Sequence, residues 1–193
     1  MTNRPDLNSL AKEVYEANKL KGFHDKEHSN ETLLMLVITE LSEAVEADRK
    51  GKRALMTDFN EDVSVKEIYF KQAFETYIKD TIEDELADSV IRLLDLAGLR
   101  GIDLEERITS WGIPDNMQLE HRYANKPFAE QVYHIIHYYL MGDRLNENVE
   151  YFILFSILNI ESLCFILSID LWLHVELKLK YNQLRPYKHG KEY

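Results

Sequence analysis

Glycine and proline are scarce in this chain, at 7 and 4 of 193 residues. That scarcity leaves little room for a turn-rich β architecture. A single cysteine, Cys164, excludes a disulfide framework. Set in an apolar run, it is expected as a small buried core residue. Long apolar runs are missing too. The greasiest stretch, Tyr151–Ile169, is broken by Glu161, and its charge-free part, Tyr151–Ile160, falls far short of the ~20 residues of a membrane span. No apolar leader follows Met1, so a cytoplasmic location is expected. Positive charge is in deficit: 23 Lys and Arg against 34 Asp and Glu give a formal net charge of −11. Such a balance disfavours nucleic acid or an anionic membrane surface as partner, and it suits a chain that recruits divalent cations.

The remaining composition, 45% apolar and 30% charged, is that of a soluble globular protein. One all-α domain over residues 1–193 is expected, and nearly every segment reads as helix. Asn8 or Ser9 caps a first helix through Lys19, and a polar loop, Phe23–Asn30, leads to a second that ends before Gly51. A polar linker, Lys52–Asp62, precedes Val63–Ile78, which has mixed helical character. Asp80-Thr81-Ile82-Glu83 resembles a capping box that opens a helix stopping near Gly98 and Gly101. Pro127 suits a first helical position, for a helix to Met141 with Gly142 as its stop. Asn146–Leu167 is a long apolar helix, and Asp170 caps a last one that Pro186 ends. Gly101-Ile102-Asp103-Leu104 recurs as Ser168-Ile169-Asp170-Leu171, each copy after an apolar helix. In that register Phe152 and Phe155 stand where Glu85 and Asp88 stand, as though residues 120–170 were a degenerate second hairpin; chance reuse of an Asp cap explains the echo equally well.

Two acidic pairs carry the chemistry. Glu40-Leu41-Ser42-Glu43 and Glu85-Leu86-Ala87-Asp88 each place two carboxylates three apart, on one face of a helix. Packed together, the two helices make a four-carboxylate cage for a hard divalent cation: Mg²⁺, or Mn²⁺ in its place. Spacing alone is weak, because 34 acids in 193 residues supply roughly six such pairs by chance. On a helical wheel, Asp84, Glu85, Asp88, Arg92 and Asp95 take the face opposite the apolar stripe, which also fits a solvated surface. Glu40 and Glu43 differ, sharing a strip with Leu36 and Ala47.

The other unusual feature is the basic end of an acidic chain. Lys178 and Asn182 lie four apart on one helix face, Arg185 continues it, and Lys188, His189 and Lys191 follow Pro186. Arg can bind a phosphate bidentately and Lys acts as a point charge, so the tail could neutralise a triphosphate. A solubilising basic end reads the same charges equally well.

In context, these motifs resemble the all-α nucleoside triphosphate pyrophosphohydrolases of the MazG type. Ile38-Thr39-Glu40-Leu41-Ser42-Glu43-Ala44-Val45-Glu46-Ala47 is similar to that family's second helix, and Glu83-Asp84-Glu85-Leu86-Ala87-Asp88-Ser89-Val90-Ile91-Arg92-Leu93-Leu94-Asp95-Leu96-Ala97-Gly98 to its third. The closing segment from Lys178 through Asn182 and Arg185 to His189-Gly190-Lys191 resembles the family's tail. The resemblance implies a helical bundle of that type, with catalytic helices over about 8–105 and 170–191. It also implies Mg²⁺-dependent hydrolysis of a nucleoside triphosphate between the α and β phosphates. Glu40, Glu43, Glu85 and Asp88 would hold the metal, with Glu40 or Glu43 also orienting or deprotonating the attacking water. Lys178, Asn182, Arg185, Lys188 and Lys191 would grip phosphates and sugar, and Phe23 would stack on the base. Two departures stand out: an insertion at Asp58–Lys79 and a helical hairpin at about 107–169.

Other classes fit less well. A di-iron bundle needs two Glu-x-x-His motifs, and the chain has none. His134 and His137 are set among Tyr and Leu and read as packed histidines, and His24-Asp25 lacks further histidines at a metal spacing. A non-catalytic nucleotide-binding or helical interaction module on the same fold is the alternative. Tyr133–Leu140 and Tyr151–Ile169 carry more apolar surface than one face needs, from which a homodimer is expected.

Overall fold

Helix α5 (Ile82–Arg100) is the axis of the molecule. In the computed structural model, which describes residues 3–65, 70–114, 125–141 and 148–190, four long helices pack around it. These are α1 (Leu7–Leu20), α2 (Asn30–Arg49), α8 (Val149–Ile166) and α9 (Leu171–Gln183). Between α2 and α5 stand α3 (Met56–Val65) and α4 (Phe70–Tyr77); α6 (Leu104–Ser110) follows α5. Helix α7 (Phe128–Ile135) runs into a single π turn, Ile136–Leu140, before α8. A short 3₁₀ turn, Tyr187–Gly190, follows α9. Among the described residues every regular element is helical, as the composition implies.

Caps set the ends. Asp6, not Asn8 or Ser9, caps α1, accepting from the Ser9 amide at 2.7 Å. Asn8 instead accepts from the Leu104 amide at 2.8 Å and donates to Asp103, which fastens α1 to the start of α6. The capping box lies one residue later than expected. Thr81 caps α5 through the Asp84 amide, and the Asp84 carboxylate accepts from the Asp80 amide at 3.0 Å. Glu83 is thereby released to pair with Arg53 at 2.6 Å.

Apolar residues from α1, α2 and α5 to α9 form one continuous core in which Leu41, Leu86, Leu94, Ile153 and Leu158 are fully buried. The expected polar linker Lys52–Asp62 contains most of α3. Its Phe59 buries against Phe70 and Phe74, and Phe74 stacks on Tyr181 of α9 at 4.4 Å. The α3–α4 pair therefore braces the tail helix. Cys164 is buried, as expected. Helix α8 is long and apolar enough to cross a membrane, and 61% of its apolar window is buried inside the fold. The burial that its composition demands thus comes largely from this chain's own helices. Glu161, the charge that interrupts it, pairs with Arg4 and accepts from the Trp172 indole at 2.8 Å.

The sequence echo has a structural counterpart at its junctions. Gly101 and Ser168 both adopt left-handed backbone, at φ 63° and 57°. Each is followed by an Ile whose amide turns back into the preceding helix, Ile102 onto Ala97 and Ile169 onto Cys164. Asp103 then caps α6 and Asp170 caps α9. At the echo positions of Glu85 and Asp88, Phe152 is buried and Phe155 stacks with Tyr139 and Trp111.

Candidate metal centre and adjoining cleft

Helix α2 turns Glu40 toward α5, and α5 turns Glu85 toward α2, so that Glu40, Glu43 and Glu85 each bring a carboxylate oxygen within 4.8 Å of the others. Glu40 and Glu85 are each 4% exposed, whereas Glu43 faces solvent at the rim. Burial of this kind opposes ionisation. Desolvation first, then the charge of Asp84, pushes Glu85 up to about 9. Glu40 is also raised, by burial and by Asp88, against the opposing pull of Arg92.

The polar face of α5 is not a solvated surface. Asp84 and Asp95 are buried with Glu85, because α2 and α9 cover this face of the helix. Tertiary packing here overrides the wheel.

Asp88 does not join the three-carboxylate group. It faces Lys178 of α9, whose Nζ lies 3.0 Å from Asp88 and 2.7 Å from Asp84. Burial alone would pull Lys178 down, but the charges of Asp88, Asp84 and Glu85 hold it above its ordinary value. Asp84 is pushed up to about 6, chiefly by burial and against the pull of Lys178. Asp80, Asp84 and Glu85 form a second group of oxygens within 4.8 Å, which shares Glu85 with the first.

A cleft opens beside Asp88, bounded by α1, α2, α5, the end of α9 and the loop after α1. Phe23, far from Asn182 and Arg185 in the chain, lines it together with them and with Asp88 and Arg92. Asn182 lies in the last turn of α9 and Arg185 just past its end, so the helix face expected to continue to Arg185 stops short of it; the Arg185 guanidinium lies 5.8 Å from the Tyr181 ring. The tail is held at this position by the first loop. Lys21 donates to the Gln183 and Arg185 carbonyls, and the Lys188 amide donates to the Lys21 carbonyl at 2.9 Å. The Lys188 ammonium turns to Asp25 at 3.6 Å, at the edge of the same loop. Lys191 lies outside the described residues.

Reading the sequence alone gave three side chains here no role in the site. Arg92 binds Glu40 through Nε at 2.5 Å and also through Nη2. His24 meets Asp95 at 2.9 Å and packs against Tyr15, their ring centroids 5.0 Å apart. Asn18 lines the cleft from α1. Arg92 had a visible signal, being the one cation on an otherwise acidic helix face; His24 and Asn18 had none, because their partner and setting come from other elements.

The carboxylates supply only hard oxygen donors from two rigid helices, a set that fits Mg²⁺ or Mn²⁺. The cleft next to them presents two amides, two guanidiniums and an aromatic ring, a set able to hold an anion joined to a planar group. Comparison of the chain with protein-family models, with curated proteins and with solved structures gives no match.

Proposed function

We propose that this protein is a Mg²⁺-dependent nucleoside triphosphate pyrophosphohydrolase of the MazG-like kind, releasing a nucleoside monophosphate and pyrophosphate. One observation carries the reading: the Glu40, Glu43 and Glu85 oxygens converge within 4.8 Å beside a cleft lined by Phe23, Asp88, Asn182 and Arg185. Glu40, Glu43 and Glu85 would hold the metal, while Asp88, paired with Lys178, stands at the border of group and cleft. When bound, the metal neutralises charge on the phosphate oxygens and lowers the pKa of water.

The chain's own residues account for the remaining work. Glu43 is the exposed carboxylate of the group, and it accepts the proton of the attacking water at a carboxylate oxygen. Glu40 is less suited to that role, because it is buried where Glu43 faces solvent. Arg185 binds phosphate oxygens with its planar fork, and Asn182 hydrogen-bonds phosphate or sugar. Phe23 covers a face of the base. Lys178 keeps Asp88 and Asp84 in place rather than touching phosphate, a role different from the one its tail position implies.

Incubation with a panel of ribo- and deoxyribonucleoside triphosphates and Mg²⁺, resolving pyrophosphate from orthophosphate, tests the reading. Pyrophosphate and monophosphate are expected. Orthophosphate and diphosphate would refute the bond assignment, and no release from folded, metal-loaded protein would leave the binding module as the better account.

A further inference from the structure

Arg92 touches both halves of the site. Its Nε and Nη2 converge on one oxygen of Glu40, a buried carboxylate of the candidate metal group, while its side chain lines the neighbouring cleft. Glu40 Oε1 cannot serve a guanidinium and a divalent cation at close range together, because the two cations repel each other across a poorly solvated space. We propose, resting on the function proposed above, that a divalent cation displaces Arg92 from Glu40 and that the displaced guanidinium then binds phosphate oxygens of the substrate in the cleft.

The surroundings favour that destination. On its own helix Arg92 has two further acids within reach, Asp88 four residues before it and Asp95 three after. Asp88 is already paired with Lys178 at 3.0 Å, and Asp95 with His24 at 2.9 Å. Both carboxylates therefore have cationic or hydrogen-bonding partners of their own. An anion in the cleft is the remaining strong acceptor, and Arg185, just past the end of α9, lines the same cleft. Two guanidiniums lining one cleft suit a polyphosphate, whose many oxygens accept several forks at once. Arg92 has a long stem and is 26% exposed in its side chain, so it can swing between the two partners without rebuilding the core. Metal and substrate binding are thereby coupled through one side chain, with no movement of a helix.

The test uses the full chain, wild type and Arg92→Gln, with Mg²⁺ alone and then with inorganic tripolyphosphate at saturating Mg²⁺, both followed by calorimetry at pH 8. Loss of the competing charge is expected to tighten Mg²⁺ binding about threefold or more. Loss of a charged phosphate contact is expected to weaken tripolyphosphate binding by about tenfold or more. The opposed directions separate this role from a structural one. Weaker Mg²⁺ binding in Arg92→Gln, or unchanged tripolyphosphate binding, overturns the proposal. In the wild type, the assigned Arg92 Nε–H resonance should shift on adding Mg²⁺ and again on adding tripolyphosphate; a resonance that ignores both additions also overturns it, and this readout stands even where the variant folds poorly. Wild-type protein that binds neither probe refutes the proposed function and this inference together. Binding of both by the wild type, with no change in Arg92→Gln, refutes this inference alone.

Discussion

Lys178 reaches from α9 into the heart of the molecule and places its Nζ 2.7 Å from Asp84 of α5, with both side chains almost wholly buried. Ninety-odd residues of chain separate them. The pair ties the tail helix to the central helix and, through the 3.0 Å contact with Asp88, fixes a wall of the cleft. A buried pair of this kind contributes little net stability over apolar replacements, but breaking it leaves a lone buried charge.

Lys178→Met alone should therefore cost about 3–5 kcal/mol. In a chain of this size that lowers Tm by roughly 2–4 °C per kcal/mol. Adding Asp84→Asn to it should recover a large part of the loss. Thermal unfolding of the two single variants and the double variant checks this; losses that simply add would mean that the two groups do not interact.

Glu85 sets a pH dependence. Its folded pKa, about 9, lies above the ordinary 4.5, so the fold prefers its protonated form. The corresponding stability is fully present below about pH 4.5 and is lost as pH rises through about 9. Glu40 and Asp84 are shifted the same way and reinforce the trend. In EDTA, Tm is expected to fall by several degrees between pH 5 and pH 9; Mg²⁺ should reverse much of the fall at the upper end, and Glu85→Gln should flatten the curve. A Tm that rises with pH in EDTA would contradict the arrangement.

Turnover should divide the site by role. Glu43→Gln is expected to lower kcat by about 10²-fold or more, as loss of a proton acceptor does. Asn182→Ala should act mainly on KM, because an amide that binds substrate and transition state alike affects binding. Steady-state kinetics on the preferred nucleotide distinguishes them. Equal losses of kcat in both would remove the distinction drawn here.

Gly98 provides a packing test away from the carboxylates. A Cβ there would lie 2.5 Å from the Ala11 carbonyl oxygen and 2.7 Å from Tyr15 Cβ, where α5 and α1 cross closely. In a free helix Gly→Ala gains up to about 1 kcal/mol; forcing two backbones apart costs about 1–3 kcal/mol. Gly98→Ala should thus be destabilising despite the better helix former, with Tm as the measure. It should also weaken nucleotide binding, since Tyr15 supports His24 beside the cleft.

The helices themselves were legible in the chain. Scarce Gly and Pro, Asp170 before an apolar turn and Pro127 before Phe128 specify local events, because capping and backbone restriction act over a few residues. The capping box was misplaced by one residue because Thr81 and Asp80 are both competent caps, and only the Asp80–Asp84 contact selects between them. Burial was less legible. Asp84, Glu85 and Asp95 read as a wet face by periodicity, yet they lie in the interior because α2 and α9 close over them. A one-dimensional pattern records how residues are spaced along a helix, not how many neighbours that helix will have. For the same reason the sequence by itself determined that this protein is helical, acidic and furnished with two carboxylate pairs and a basic tail. Only the tertiary structure decided which carboxylates converge. It gave Glu40 to Arg92, Asp88 to Lys178 and Asp95 to His24, because ion pairing depends on distance in space and burial, which neighbours in the chain do not set.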